Sequence, residues 1–213
     1  MDWLKSEIIG ADKTLVAFGG IANQLMMPVF EFFNILKSYK FNKIFIRDLT
    51  QSWYYKIGHE KIAKELINII PHNTTKIFIG TSSGGFASIL IGNMVQADVV
   101  LAFSPQTFLD VDFREKYNDN RWRSEIRNVH SVTTNKESLR LFDMIYDNDI
   151  TKYYIYYCKN FKIDAIHAKM IADKKNFTMM PQNCNTHVVV KWLKQHNLLL
   201  NILTGDNLWN NMK

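Results

Sequence analysis

The chain has no apolar run long enough to cross a membrane, so no spanning segment is expected. Met1-Asp2-Trp3-Leu4-Lys5 shows none of the pattern of a signal peptide. Cysteine is scarce: Cys158 and Cys184 stand alone, without metal-ligand spacing. They are expected to be reduced core residues of a cytoplasmic protein, not a disulfide. No Gly-Lys-Ser/Thr follows the glycine-rich turn at Gly80, which excludes a Walker phosphate loop. There are no internal repeats and no low-complexity segment. Positive charge exceeds negative by 6, but the lysines and arginines are mostly dispersed. That reads as solvated surface more than as a footprint for nucleic acid.

At 213 residues the chain is read as one domain, 1–213, with enough length for a sizeable core. Aromatic residues make up 13%, enough to wall an apolar pocket as well. Apolar runs alternate with segments of helical periodicity. Strands are expected at Thr14–Phe18, Lys43–Ile46, Lys76–Ile79, Val99–Phe103, Tyr153–Cys158 and Phe177–Met180. Helices are expected over Gln24–Tyr39, Gly58–Ile70, the stretch after Ser82 to about Val95, Asp164–Ala172 and His187–Leu200. Continuous apolar strands alternating with helices predict an α/β three-layer sandwich of about six mostly parallel strands, with helices on both faces.

One stretch breaks the alternation. Residues 106–150 are too many for a simple connection and are rich in charge and aromatics. They are read as a small, mostly helical cap over the carboxyl edge of the sheet, with a surface excursion as the alternative.

The centre of the chain is Lys76-Ile77-Phe78-Ile79-Gly80-Thr81-Ser82-Ser83-Gly84-Gly85-Phe86. A strand leads into Gly80-Thr81-Ser82-Ser83-Gly84, and a helical pattern follows. G-x-S-x-G in that setting is a nucleophile elbow. Its serine sits in a strained turn above the sheet, and side chains at the two glycines would crowd the neighbouring elements. The helix start aims N–H groups, Ser83 among them, at an oxyanion formed beside Ser82. The plainer alternative is a structural turn, or a phosphate site at a helix N-terminus.

A serine hydroxyl needs a base. Of the six histidines, His187 lies just after the last strand, at the edge where open α/β sheets carry their functional groups. His72 falls at the entry end of the elbow strand, and His59, His130, His167 and His196 lie in or beside helices or in the presumed cap. The acid orienting His187 should follow the penultimate strand. Asp164 does, with a helix N-cap as its alternative role, and Asp110 is the runner-up.

The order Ser82, Asp164, His187, with the alternating elements and the elbow, resembles the α/β-hydrolase superfamily over roughly residues 14–200. The resemblance implies Ser82 as nucleophile, His187 as base and Asp164 as acid. It also implies an oxyanion hole shared between the Ser83 N–H and an N–H of the loop Phe18-Gly19-Gly20-Ile21-Ala22, with Gly19 and Gly20 as candidates. The chain departs from the superfamily in two places. The sequence shows no pattern for the leading antiparallel strands, and the loop reads Phe-Gly-Gly where His-Gly-Gly-Gly is common.

Trp53 and Tyr54 follow the second strand and are candidates for the substrate pocket, the alternative being that they pack the next helix. Trp122 is a third pocket candidate, although Arg121-Trp122-Arg123 reads better as a solvated cap face. The leading function is a serine hydrolase acting on a small ester, thioester or acylated glycan, without metal or organic cofactor. An acyltransferase of the same mechanism and a non-catalytic binding protein of the same fold are the alternatives. Oligomeric state is left open.

Overall fold

A computed structural model describes residues 2–21 and 30–205. Seven strands form a single sheet: β1 (Leu4–Glu7), β2 (Lys13–Phe18), β3 (Asn42–Ile46), β4 (Thr75–Thr81), β5 (Val99–Phe103), β6 (Lys152–Cys158) and β7 (Phe177–Gln182). Their order across the sheet is β1-β3-β2-β4-β5-β6-β7. Every neighbouring pair is parallel except β1 with β3. The expectation of about six strands therefore misses β1. Its sequence, Leu-Lys-Ser-Glu, is largely exposed and carries no apolar run, and the antiparallel pairing with β3 is what defines it. The chain does keep one leading antiparallel strand.

The six parallel strands follow from their composition. Apolar, often β-branched or aromatic runs are stable where both faces are covered. Successive side chains then part to opposite faces. Val16, Phe18, Phe78 and Val100 join one buried cluster, and Leu15, Ala17, Ile77 and Leu101 join the other. The first face is covered by α2 (His59–Ile69), α3 (Ser83–Val95) and α7 (Lys162–Lys169). The second is covered by α1 (Phe33–Leu36), α8 (Val189–Gln195) and α9 (Leu199–Thr204). β7 holds Pro181, which an edge strand tolerates because one side of its ladder is unpaired.

Two helix expectations change. Residues 24–29 of the helix expected over Gln24–Tyr39 lie outside the described residues, and within the rest only the single turn α1 is helical. The closing helix expected over His187–Leu200 is two short helices, α8 and α9, separated where Asn197 takes a left-handed φ of 56°. Between β5 and β6 the chain forms α4 (Val111–Lys116), α5 (Arg123–His130), a 3-10 turn at Glu137–Leu139 and α6 (Leu141–Met144).

The chain runs from β2 outward to β3, then returns to the other side of β2 as β4. The carboxyl ends of β2 and β4 thus flank the point where strand order reverses, which is where open α/β sheets place their sites. Phe18 is in register with Gly80, so the Gly19-Gly20 loop and Ser82 leave the sheet side by side.

Candidate active site

Ser82, between β4 and α3, has φ 52° and ψ −114°, a backbone conformation that L residues seldom adopt. Its N–H donates to the carbonyl of Phe103 in β5 at 2.9 Å. The glycines make the turn possible. A Cβ on Gly80 would come within 2.1 Å of the Gly84 carbonyl oxygen, and one on Gly84 within 2.3 Å of the Phe18 carbonyl oxygen.

His187 stands in the loop between β7 and α8. Its Nε2 lies 2.9 Å from Ser82 Oγ. Its Nδ1 lies 2.9 Å from both carboxylate oxygens of Asp164. With Nδ1–H donating to Asp164, Nε2 is free to accept the serine proton. Asp164 is buried in the first turn of α7, but the N-cap position belongs to Phe161, so its alternative role as a cap is not what the fold uses. Asp110 is instead the N-cap of α4, accepting the Phe113 N–H at 3.2 Å, and it pairs with Arg140 at 2.9 Å.

The remaining histidines stand outside this chain of bonds. His59 meets the Trp53 carbonyl at 2.8 Å and His130 the Leu109 carbonyl at 3.1 Å. His196 folds back on Trp192, and His72 is exposed. His167 is fully buried, accepting the Thr107 N–H on Nδ1 at 2.9 Å and donating from Nε2 to Asp119 at 3.0 Å.

Behind the acid lies a second layer that the sequence reading left in solvent. Arg121 donates from Nη1 to Asp164 at 2.8 Å and grips Asp119 with Nε and Nη2, at 2.8 and 2.9 Å. Burial opposes the charge on Arg121, but its two carboxylate partners outweigh it and hold the guanidinium ionised. Burial likewise opposes ionisation of Asp119. Hydrogen bonds from Arg121 and His167 outweigh it and keep Asp119 well below the usual carboxylate range. His167 is held neutral, chiefly by burial. A buried cation without such partners would be costly, which explains why the three groups travel together.

Cys158 and Cys184 form a disulfide, contrary to the expectation of two reduced cysteines. Cys158 closes β6, six residues before Asp164, and Cys184 lies three residues before His187. The adjacent strands β6 and β7 bring the two together although they are 26 residues apart in sequence. A stable bond of this kind belongs to an oxidising environment, so it runs against the reasoning that led to a cytoplasmic reading.

The N–H groups expected to serve as oxyanion donors differ in what they bind. The Ser83 N–H opens α3, in the first turn, where amides have no intrahelical acceptor. The Gly19 N–H is used inside the sheet, donating to the Ile46 carbonyl at 2.9 Å, so Gly19 is removed as a donor. The Gly20 N–H points to the site but is taken by Glu31 Oε2 at 2.7 Å. Glu31 also accepts from Thr81 Oγ1 at 2.5 Å. Burial raises the Glu31 pKa, and those two bonds only partly offset it.

A cavity of about 160 Å³ opens beside Ser82 and His187, walled by Gly20, Ile21, Glu31, Trp122 and Val188. Trp122 lines this cavity from the β5–β6 connection. Trp53 and Tyr54 do not: both are fully buried in the core. Asp48 gathers the turn that holds them, accepting the N–H groups of Ser52 and Tyr54 at 2.6 and 2.8 Å. The Tyr54 hydroxyl donates to the Gly19 carbonyl at 2.7 Å, so its part is to brace the loop after β2. A larger cavity of about 350 Å³, between Arg114, Arg123 and His130, does not include Ser82.

No protein-family model and no curated protein sequence matches this chain. Solved structures do match in fold. The capsule O-acetyltransferase of Neisseria meningitidis serogroup A superposes with a TM-score of 0.71 at 12% identity, covering 93% of this chain and 90% of its own. A fluorophosphonate-binding serine hydrolase of Staphylococcus aureus gives 0.61 at 11% identity, covering 91% and 85%. A thermophilic esterase from the Planctomycetes species Thermogutta terrifontis gives 0.59 at 12% identity, covering 96% and 89%. The fold is like that of α/β hydrolases, with a mostly parallel sheet between two layers of helices. Its structural neighbours include both hydrolases and an acyl-transferring enzyme. Among the described residues no helix is long and apolar enough to cross a membrane.

Proposed function

We propose that this chain is a serine hydrolase that cleaves a small carboxylic ester or thioester through an acyl-enzyme on Ser82. The observation that carries the reading is the continuous relay from Ser82 Oγ to His187 Nε2 and from His187 Nδ1 to Asp164, every link at 2.9 Å. His187 takes the serine proton as Oγ attacks the carbonyl carbon, then returns it to the leaving group. Asp164 fixes the ring tautomer and balances the imidazolium as it forms. The N–H groups of Ser83 and Gly20 meet the oxyanion, Gly20 once Glu31 has released it. Water then attacks the acyl-enzyme by the same proton path.

The cavity of about 160 Å³ is small beside the several hundred Å³ typical of drug-sized ligand sites, which favours a short acyl group held against Trp122, Ile21 and Val188. The 106–150 segment acts in this reading as a cap on a single domain, because Trp122 enters the pocket from it. A second reading, acyl transfer to a hydroxyl such as that of a glycan, is favoured by the fold likeness to the capsule O-acetyltransferase. The two share every step up to the acyl-enzyme and differ in what attacks it.

The test is labelling by a fluorophosphonate, together with cleavage of a short activated ester. Wild-type protein should do both and Ser82→Ala neither. Labelling that survives Ser82→Ala would assign the chemistry elsewhere, and a wild type inert in both assays would favour a binding protein. Release of free acid that falls when a sugar hydroxyl is added, with an acylated sugar appearing, would favour transfer over hydrolysis.

A further inference from the structure

The Ser82 hydroxyl has one proton and two neighbours that, as the side chains stand, both accept it. His187 Nε2 lies 2.9 Å from Oγ and Gln106 Oε1 lies 3.0 Å from it. Gln106 is buried, and its Nε2 has no hydrogen-bond partner among the described residues. If the proton goes to Gln106, His187 must carry its own proton on Nε2 to keep the bond to Oγ. Nδ1–H already faces Asp164, so the ring would be a cation and could not accept the serine proton.

A half-turn of the Gln106 amide resolves this without changing its shape. Nε2–H then donates to Oγ, Oγ–H donates to a neutral His187, and all three groups agree. The group left unpaired is a carbonyl oxygen, which proteins tolerate better than a buried N–H.

We infer that Gln106 is a further catalytic residue, whose side-chain N–H donates to Ser82 Oγ while that oxygen carries charge. The inference rests on Ser82 being the nucleophile. During attack the Oγ–H bond breaks as the proton moves to His187 Nε2, and the electron pair left on Oγ forms the bond to the carbonyl carbon. Negative charge on Oγ peaks between those events. An N–H bond to a charged oxygen is about twice as strong as one to a neutral oxygen, so it favours the transition state over the resting enzyme. When the acyl-enzyme breaks down, Oγ is the leaving group, regains that charge and takes its proton back from His187. The fold supports the placement. Phe103 binds the Ser82 N–H, and Pro105 lies 3.1 Å from where a Cβ on Gly85 would be, so the chain leading from β5 into Gln106 is fitted to the elbow at two points.

The test uses two variants of the full chain. Gln106→Glu keeps the length and an acceptor oxygen but removes the donor, and Gln106→Met keeps the length and removes both. Both should lower kcat for a short ester about ten- to a hundredfold, below the loss from deleting an oxyanion-hole donor. KM should stay within about twofold, since the bond is to the nucleophile, and fluorophosphonate labelling should slow in parallel. A Gln106→Glu variant with wild-type kcat at a pH where its new carboxyl is ionised overturns the inference, because an acceptor without a donor would then suffice. If the buried carboxylate of Gln106→Glu unfolds the chain, Gln106→Met decides alone: a folded Met variant with unchanged kcat overturns it. A wild type that takes no label removes the serine reading and this inference together, whereas labelling of the wild type and of both variants at one rate removes the inference only.

Discussion

Arg121 and Asp164 meet through Nη1 and Oδ1 at 2.8 Å, so Asp164 is shared between His187 and a cation from the β5–β6 connection. The same arginine is anchored on Asp119 by two bonds and, through it, on buried His167. Asp164 is thus held from behind as well as from the front.

Removing the acid should be severe. Asp164→Asn should lower kcat by orders of magnitude, about 10⁴ in the serine-protease precedent, where the wrong imidazole tautomer results. Steady-state ester cleavage measures it. Because the N-cap position is Phe161, the substitution should leave α7 intact, and a circular-dichroism spectrum like that of the wild type is expected. Asp110→Asn should keep full turnover. An active Asp164→Asn enzyme would break the relay argued above.

Arg121 acts as a positioning residue. Arg121→Met should lower kcat by up to about 10²-fold, the scale of a misplacement of about 1 Å, with KM little changed. Added guanidinium should restore part of the rate. A purely structural role would give a loss of thermal stability that guanidinium does not reverse.

Glu31 faces the other way. Its carboxylate occupies the Gly20 N–H that an oxyanion would need, and it brings negative charge to a wall of the same cavity. Glu31→Gln keeps an acceptor for Gly20 and removes the charge. Turnover of a short neutral ester should rise several-fold, since like charges repel across a poorly solvated pocket. A tenfold fall would mean that the charge holds the loop in its working shape.

Acid should destabilise the fold through its buried histidines. Burial lowers the pKa of His59 and of His167, so the unfolded chain binds protons near pH 6.5 while the folded chain does not until lower pH. Their stabilising contribution is complete above about 6.5 and is lost as pH falls from there through the folded values. Glu31 runs opposite: burial raises its pKa, so its contribution is full below the ordinary carboxylate range and lost as pH rises through the folded value. Tm should fall between pH 7.5 and 5. His167→Gln, which can still accept from Thr107 and donate to Asp119, should show a smaller fall.

The disulfide should matter to both stability and rate. Closing a loop of 26 residues is worth about 3.5 kcal/mol on the chain-entropy scale. The bond also ties the strand end before Asp164 to the loop holding His187. Reductant should therefore lower Tm and turnover together, and a Cys158→Ala, Cys184→Ala double variant should start low and ignore reductant. An unchanged rate under full reduction would confine the bond to stability.

The parallel strands were legible because each is an apolar run long enough to stand out, and the elbow because its glycines answer a local steric demand. His187 and Asp164 could be placed by strand edge alone, since an α/β sheet sorts loops to one side or the other. What could not be read depends on packing between distant segments. β1 has no apolar pattern and exists through β3. Trp53 and Tyr54 sit after a strand, as pocket residues often do, yet the turn organised by Asp48 folds them inward, where truncating Trp53 would cost about 3–5 kcal/mol. Arg121 looked like a surface charge because its two acids lie 2 and 43 residues away. The cysteines were judged by compartment, whereas the β6–β7 register decides their pairing. Gln106 and Glu31 belong to no motif and declare themselves only by what they touch.

Gly84 packs so closely on the loop after β2 that any side chain there would strike the carbonyl oxygens of Phe18 and Gly19. Main chain lies against main chain, with nothing adjustable between them. The start of α3, beside Ser82, and the loop that carries Gly20 are therefore packed main chain to main chain as one piece. Ile21, next in the chain, belongs to the wall of the cavity. On the proposed function, substitutions at Ile21 should reshape what the cavity accepts while Ser82 Oγ and the Gly20 N–H keep their separation. Specificity could then drift there at low risk to the reaction.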